Sequence, residues 1–292
     1  MELKFTKMHG LGNDFIVIDD MSEELELSAE AVTWFCDRNF GIGADGIMLV
    51  RPATLEGADF SWWFRNSDGS VAEMCGNGIR CFAKYVVDSG LVDSSVDIVR
   101  IETALGVYPV TVERADDGTM ALATVDMGEP ILDPQRIPTT LGCENSGDPV
   151  IDCELETEAG IVSVTCVSMG NPHCVMFVDD VDEAPVHTLG PAIETHPAFP
   201  NKTNVEFASV GADDHIRLRV WERGVGETLA CGTGACAATV AAALKCLIGR
   251  DARVELPGGE LLIRWSTDGR VHMTGPAQHV FTGALLIPED EG

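Results

Sequence analysis

Two stretches of the sequence each place a cysteine directly before a Gly-x-Gly turn that leads into an apolar helical segment. The first reads Cys-Gly-Asn-Gly over residues 75–78, and the second reads Cys-Gly-Thr-Gly over residues 231–234. Free N–H groups and the dipole at the start of a helix favour a bound anion. A cysteine at such a position is expected to have a lowered pKa, so Cys75 and Cys231 are candidates for reactive thiols.

Other polar residues repeat with almost the same spacing, which indicates two copies of one domain. Asn13 and Asn171 both follow a glycine before an apolar run, and they are 158 residues apart. Asn66 and Glu222 close two strand-like segments 156 residues apart, and the two cysteines are also 156 residues apart. A coincidence among Gly-rich turns would explain one such pair more easily than three in the same order. Copies related by a pseudo-twofold axis would direct both cysteines into a shared cleft.

The elements that must position these residues are mostly strands. Alternation over residues 3–9 and the apolar run 15–18 predict an opening hairpin. A helix capped by Ser28 follows, and each cysteine loop leads from a strand into a helix. The predicted fold class is α+β with two pseudo-symmetric domains. Each is expected to be a curled, mostly antiparallel sheet around a central helix, with the active site in the cleft between them.

A segment rich in proline, glycine and aspartate, residues 128–149, is the best candidate for a linker. We therefore expect a first half over residues 1–128, which contains Cys75 and is completed by the C-terminal strand 276–292. The second half, which contains Cys231, is expected over residues 129–275. Each half is long enough to bury a core of its own.

The charge of the chain excludes several classes of partner. Its 292 residues include 47 acidic and 19 basic side chains, which gives a formal net charge of −28. Contact with nucleic acid or an anionic membrane needs a basic surface, so neither is an expected partner. A strongly acidic surface is typical of a protein that works in concentrated salt, where charge repulsion is screened. An ordinary acidic protein is the alternative.

The ten cysteines favour a cytoplasmic protein over a disulfide-bonded one. The chain is long and its start lacks the pattern of a signal peptide, so a reducing compartment is expected. No Cys-x-x-Cys pair occurs in the sequence and no histidine spacing completes a zinc site, so no metal is expected. The most apolar helical segment, residues 235–248, is too short to span a membrane and contains Lys245.

Six motifs, in order, resemble the diaminopimelate epimerase family over nearly the whole chain. They are Met8-His-Gly-Leu-Gly-Asn-Asp-Phe, Asn66-Ser-Asp-Gly, Glu73-Met-Cys-Gly-Asn-Gly-Ile-Arg, Gly170-Asn-Pro-His, Asn204-Val-Glu and Trp221-Glu-Arg-Gly-Val-Gly-Glu-Thr-Leu-Ala-Cys-Gly-Thr-Gly. The wider superfamily includes proline racemase and related isomerases with the same doubled fold. The motif that starts at Trp221 and the Met-Cys-Gly-Asn-Gly of the first half favour the diaminopimelate member.

The resemblance implies an isomerase of lysine biosynthesis that interconverts LL- and meso-2,6-diaminopimelate without a cofactor, and it suggests a homodimer. By the family pattern Cys75 and Cys231 are the catalytic pair, and His173 and Glu222 modulate the pKa values of the thiols. The residues that carry over as substrate contacts are Asn13, Asn66, Gly76, Asn77, Asn171, Asn204, Glu222, Arg223, Gly232 and Thr233. Relatives differ between Gln and Gly at the position of Gly46, so Gly46 is left out of the site.

The residue types also suit that chemistry independently. Inversion of an α-carbon removes a proton from one face and adds a proton to the other, so two acid/base groups are needed. A thiolate and a thiol at Cys75 and Cys231 would supply them. The N–H groups of residues 76–77 and 232–233 would bind the substrate carboxylate. Arg223 suits the distal carboxylate of diaminopimelate.

Three alternative functions stay open at this point. A racemase that acts on proline or hydroxyproline would give Arg223 no distal carboxylate to bind. A thiol-redox or metal-binding protein would use Cys75 and Cys231 for electron transfer or ligation. A binding module for acidic small molecules would bind an amino acid without exchanging its α-proton with solvent.

Overall fold

The computed structural model describes residues 2–71, 74–142 and 147–286. Contacts divide the chain into two compact units. Unit 1 comprises the described parts of Met1–Val125 and Gly275–Gly292, and unit 2 comprises those of Asp126–Thr274. Each unit combines a sheet with helices, so the predicted α+β class is confirmed. The assignment of two epimerase halves at 1–128 with 276–292 and at 129–275 stays a prediction.

Unit 1 is built on eight described strands and two described helices. The strands are β1 (Glu2–Gly10), β2 (Asn13–Asp19), β3 (Gly46–Pro52), β4 (Phe60–Asn66), β5 (Ile98–Thr103), β6 (Gly106–Arg114), β7 (Met120–Asp126) and β17 (Gln278–Leu286). The helices are α1 (Ala29–Cys36) and α2 (Gly76–Asp88). Strand β17 pairs with β1, and β2 to β7 then follow in sequence order. Only β2–β3 and β4–β5 are parallel pairs among these.

Unit 2 repeats this plan in its described residues. Its strands are β8 (Cys153–Thr157), β9 (Gly160–Ser168), β10 (Pro172–Phe177), β11 (Asn204–Val210), β12 (His215–Glu222), β13 (Gly226–Thr228), β14 (Asp251–Leu256), β15 (Gly259–Trp265) and β16 (Val271–Gly275). Its helices are α3 (Val186–Glu194) and α4 (Gly232–Leu244). The sheet order is β8-β9-β10-β11-β12-β14-β15-β16, and the short β13 also pairs with β12. The parallel pairs β10–β11 and β12–β14 occupy the same places as those of unit 1.

One central helix in each unit packs against several strands of its sheet. Helix α2 contacts β1, β2, β3 and β6, and helix α4 contacts β9 to β12, β14 and β15. Both begin at a cysteine, because its backbone is still extended while its sulfur accepts a hydrogen bond from the first turn of the helix. The backbone angles are φ −139° and ψ 112° at Cys75, and φ −121° and ψ 107° at Cys231. Helix α4 is buried on nearly all sides, which its run of alanines permits.

The segment predicted as a linker packs into unit 2 instead. Ile137 is buried in the core of that unit, Leu141 packs against the same core, and Ile131 forms a bridge to Ser168. Single apolar residues make these contacts, so the segment lacks the periodicity that would have predicted its burial. Its residues 143–146 lie outside the described residues. No helix of the described chain is long and apolar enough to cross a membrane.

Candidate active site

The thiol of Cys75 lies at the N-terminus of α2 among polar side chains of unit 1. Its Sγ accepts the backbone N–H of Gly78 at 3.3 Å. Oδ1 of Asn13 lies 3.6 Å from the same sulfur and accepts a hydrogen bond from Nδ2 of Asn77 at 3.3 Å. The side chain of Cys75 is partly exposed, so a small molecule can reach it.

A carboxylate fixes the orientation of the Asn13 amide. Nδ2 of Asn13 donates to Oδ2 of Asp45 at 2.7 Å. An ionised carboxylate only accepts hydrogen bonds, so the NH₂ group of Asn13 must face Asp45. The carbonyl Oδ1 is therefore directed at Cys75. Arg38 holds Asp45 in place through a bond from Nη2 to Oδ1 of 2.7 Å.

Arg80 binds the loop that carries the first thiol, and sequence analysis did not single it out. Its side chain is fully buried and donates from Nη1 to the carbonyl of Gly76 and from Nη2 to Oδ1 of Asn77, each at 2.9 Å. Its Nε donates to the carbonyl of Pro276 at 3.2 Å. These bonds fix both residues that follow the cysteine. The signal available in the sequence was an arginine inside the Cys-Gly-Asn-Gly-Ile-Arg motif, within a segment that is otherwise mostly apolar.

Asn66 lies at the end of β4, where it stabilises a turn. Its Nδ2 donates to Oγ of Ser70 at 3.0 Å, and its backbone pairs with Gly46 across the sheet. A Cβ atom at Gly46 would lie 2.7 Å from both the carbonyl of Arg65 and the ring of Phe64. A glutamine at position 46 would therefore require its neighbours to move.

The thiol of Cys231 is buried at the N-terminus of α4 and begins a chain of hydrogen bonds. Its Sγ accepts the N–H of Gly234 at 3.4 Å and lies 3.5 Å from Oγ1 of Thr233. Nδ2 of Asn171 donates to the same Oγ1 at 3.3 Å. Oδ1 of Asn171 then lies 3.0 Å from Nε2 of His173.

His173 continues the chain to a buried carboxylate. Its Nδ1 lies 2.6 Å from Oε1 of Glu206, and both side chains are fully buried. Burial raises the pKa of Glu206, and the adjacent His173 opposes that shift. Sequence analysis named Asn204-Val-Glu as a motif but gave Glu206 no role. A charged residue inside the apolar strand β11 was the signal for it.

The helix N-terminus does not lower the pKa of Cys231 as the sequence led us to expect. Burial raises it well above the ordinary value, and the nearby carboxylates Glu222 and Glu206 raise it further. The hydrogen bonds from Thr233 and from the Gly234 N–H act in the opposite direction but are weaker. Desolvation outweighs the capping interaction because the side chain is removed from water. This environment favours the thiol of Cys231 over its thiolate.

Three predicted substrate contacts lie at the end of β12 and next to it. Oε1 of Glu222 accepts from Oγ1 of Thr228 at 2.5 Å. The amide of Asn204 donates to the carbonyl of Pro172 at 2.8 Å and accepts the backbone N–H of Arg223 at 2.9 Å. Asn204 thus shapes the backbone that presents Arg223, whose guanidinium lies in an exposed position.

The sequence model of diaminopimelate epimerase matches residues 5–132 and 165–280. The chain belongs to the diaminopimelate epimerase family. The diaminopimelate epimerase 1 of a Nostoc species is 50% identical to it over 98% of this chain and 100% of its own length. The diaminopimelate epimerase of Leptospira biflexa is 47% identical with the same coverage. A crystal structure of a hydroxyproline epimerase from Agrobacterium vitis shares the fold, with a TM-score of 0.69 at 15% identity over 99% of this chain and 94% of that chain.

Within this member of the diaminopimelate epimerase family, each unit gathers its own predicted residues around one cysteine. Direct hydrogen bonds connect Asn13, Cys75 and Asn77 in unit 1, and Asn171, Thr233 and Cys231 in unit 2. His173 reaches Cys231 only through two intervening side chains, which the sequence did not predict. Within residues 2–71, 74–142 and 147–286, no three His, Cys, Asp or Glu side chains are grouped to hold a metal ion.

Proposed function

We propose that this chain is a cofactor-independent epimerase that interconverts LL- and meso-2,6-diaminopimelate in lysine biosynthesis. The observation that carries the proposal is the repeated arrangement of a thiol that caps a central helix beside an asparagine amide. Full-length relatives named diaminopimelate epimerase, at 47% and 50% identity, support the substrate. The hydroxyproline epimerase supports only the fold, because its identity is 15%.

In the proposed reaction a thiolate at one cysteine removes the α-proton, and the thiol at the other cysteine donates a proton to the opposite face. The first sulfur ends as a thiol and the second as a thiolate, so the reverse reaction exchanges their roles. The carbanion that forms between these steps places negative charge on the substrate carboxylate. The N–H groups of residues 76–77 and 232–233, at the starts of α2 and α4, would stabilise that charge.

The remaining predicted residues are proposed to orient the substrate. Asn13, Asn66, Asn77, Asn171 and Thr233 offer donors and acceptors for its polar groups. A further set of proposed contacts comprises Gly76, Gly232, Asn204, Glu222 and Arg223. His173 and Glu222 are proposed to modulate the pKa values of the thiols. The charge of Glu222 supports this role, because it raises the pKa of the Cys231 thiol.

The decisive experiment is incubation with LL-diaminopimelate in deuterium oxide without added cofactor. We expect meso product with deuterium at the inverted carbon. Cys75→Ala and Cys231→Ala should each reduce turnover by at least about 100-fold, because general acid–base catalysis contributes about 10²–10⁴-fold. Cys246→Ala is the matched control, since Cys246 is an exposed free cysteine outside both helix starts. Epimerisation of proline or hydroxyproline, with no turnover of diaminopimelate, would favour the alternative racemase.

We also propose that the protein is a cytoplasmic homodimer adapted to concentrated salt. The net charge of −28 supports the salt adaptation. The ten cysteines in a chain of 292 residues support a reducing compartment over a disulfide framework. The dimer rests on the family resemblance, and light scattering coupled to size-exclusion chromatography tests it.

A further inference from the structure

The two units support their central helices with chemically different residues at matching positions. In unit 1 Phe15 pairs with Gly46 across the parallel strands β2 and β3, and Met48 lies two residues further along β3. In unit 2 His173 pairs with Asn204, and Glu206 lies two residues further along β11. The position of Phe15 therefore matches His173, and the position of Met48 matches Glu206.

Close contacts with the first turn of each helix confirm this equivalence. A Cβ atom at Gly78 would lie 2.7 Å from Cε of Met48, and a Cβ atom at Gly234 would lie 3.0 Å from Oε1 of Glu206. Each of these side chains thus lies directly beneath the third residue of its helix. Unit 1 shows that apolar side chains can fill this place in the fold.

Stability does not explain why unit 2 has a glutamate and a histidine there. Removing two polar groups from water is costly, and a buried ion pair is often no more stable than apolar residues of similar size. His173 and Glu206 are both fully buried and 2.6 Å apart. From Glu206, hydrogen-bond contacts of 2.6, 3.0, 3.3 and 3.5 Å lead through His173, Asn171 and Thr233 to the sulfur of Cys231.

We propose that Glu206 is a positioning residue for the epimerisation: it orients the protons of the His173–Asn171–Thr233 chain so that Thr233 donates its hydroxyl proton to the Cys231 thiolate. This inference rests on the proposed function, because it assigns these hydrogen-bonded side chains a role during epimerisation.

The orientation of the Asn171 amide gives this chain of hydrogen bonds its direction, because Oδ1 faces Nε2 of His173 and Nδ2 faces Thr233. A proton lies between Nδ1 of His173 and the carboxylate of Glu206, and Nε2–H then donates to Oδ1 of Asn171. The NH₂ group of Asn171 donates to Oγ1 of Thr233. The single hydroxyl proton of Thr233 is left for the sulfur of Cys231. If Nε2 accepted instead, every bond would reverse, and Thr233 could only accept a proton from a Cys231 thiol.

The charges near Cys231 explain why the direction of these hydrogen bonds matters for its thiolate. Glu206 and Glu222 are the carboxylates that disfavour a thiolate at Cys231. Glu206 also acts electrostatically on the thiol of Cys174, whose pKa is raised well above its ordinary value by burial and by contact with Cys166. Neither of these thiols compensates the charge of Glu206. His173 does so, and the pair of His173 with Glu206 then carries no net charge.

The test uses Glu206→Met, which installs the side chain that unit 1 has at the matching position, and Thr233→Val, which removes the hydroxyl. Cys231 alkylation by iodoacetamide is followed against pH by peptide mapping, and kcat/KM is measured in parallel. We expect both variants to alkylate Cys231 about 10-fold more slowly below the pH midpoint, with the midpoint moved upward, because a hydrogen bond to a charged group is lost. Glu206→Gln and Thr233→Ser should keep the wild-type midpoint, since glutamine can still hydrogen-bond to His173 and serine still has a hydroxyl group for Cys231.

Charge alone predicts the opposite sign, because removal of the Glu206 carboxylate would ease thiolate formation and move the midpoint downward. A downward or unchanged midpoint in Glu206→Met would therefore overturn the proposal, as would additive effects in the double variant with Thr233→Val. Glu255→Gln is the matched control, since Glu255 lies 3.2 Å from His215 in the same unit but is half exposed. Alkylation requires no turnover, so its result stands even if the protein fails to epimerise diaminopimelate.

Discussion

Replacement of Asp14 by asparagine should destabilise unit 1, because Asp14 neutralises a buried lysine. The ammonium of Lys7 is 7% exposed and lies 2.6 Å from Oδ2 of Asp14. Nη2 of Arg38 donates to Oδ1 of Asp14 at 2.8 Å. Burial raises the pKa of the Asp14 carboxyl, but the two cations outweigh it and lower the pKa from 3.8 to about 2.

This pKa shift sets both the magnitude and the pH dependence of the effect. This lowering of the Asp14 pKa corresponds to about 2 kcal/mol of stability at neutral pH. A carboxyl with a lowered pKa contributes this stability above pH 3.8 and loses it as the pH falls towards 2. About half of the contribution should remain near pH 3. The asparagine variant also leaves Lys7 without its counter-charge, so its loss at pH 7 should reach about 3 kcal/mol.

Urea denaturation of the wild type and of Asp14→Asn at pH 7 and at pH 3 measures this difference. Asp37→Asn is the matched control, because Asp37 is partly exposed and its Oδ1 accepts the N–H groups of Asn39 and Phe40, which an asparagine can also do. If the free energy of unfolding of Asp14→Asn at pH 7 lies within about 0.5 kcal/mol of the wild type, the range of ordinary surface substitutions, Asp14 does not stabilise unit 1 in this way. A difference equally large at pH 3 would contradict the linkage to the carboxyl.

Three further outcomes are expected. Asp45→Asn should let the Asn13 amide rotate and lower kcat/KM about 10-fold, which is the cost of one charged hydrogen bond. The melting temperature should not change. Full activity would show that Asp45 does not orient Asn13. Arg223→Lys should lower kcat/KM for diaminopimelate about 10-fold or more, because lysine lacks the planar fork that binds a carboxylate in two places; unchanged kinetics would separate Arg223 from the distal carboxylate. Melting temperature and activity should both rise between about 0.1 M and multimolar potassium chloride, as the Debye length falls from about 10 Å to below about 3 Å; a flat or falling melting temperature would exclude salt adaptation.

Local chemistry made the helix starts predictable from the sequence. A cysteine followed by Gly-x-Gly and a helical segment predicted α2 and α4, and Ser28 predicted the cap of α1, which it forms by accepting the N–H of Ala31. The short strands β8 and β13 cannot be predicted in this way, because five and three residues give too little alternation to detect. The burial of residues 128–149 depends on contacts with distant parts of unit 2, which local composition does not show.

In the predicted site, too, local sequence identified some residues, whereas the roles of others depend on contacts between distant parts of the chain. Repeated spacing identified both cysteines and both glycine-asparagine turns without reference to tertiary contacts. Glu206 and Asp45 are 33 and 32 residues distant in sequence from the side chains that they orient, so their roles follow only from the folded sheet. The raised pKa of Cys231 was not predictable either, because it results from complete burial by residues distant in the sequence.

The pairing of β1 with β17 determines when each unit can be completed on the ribosome. Unit 1 begins with β1 but takes the strand that pairs with β1 from residues 278–286, so its sheet is incomplete until those residues have been made. Unit 2 is continuous in sequence and has all of its strands once residue 275 has left the exit tunnel. Domains generally fold in the order in which they are made. This chain reverses that order: its second unit can fold first, and β1 presents an unpaired edge to the cell until β17 has been made.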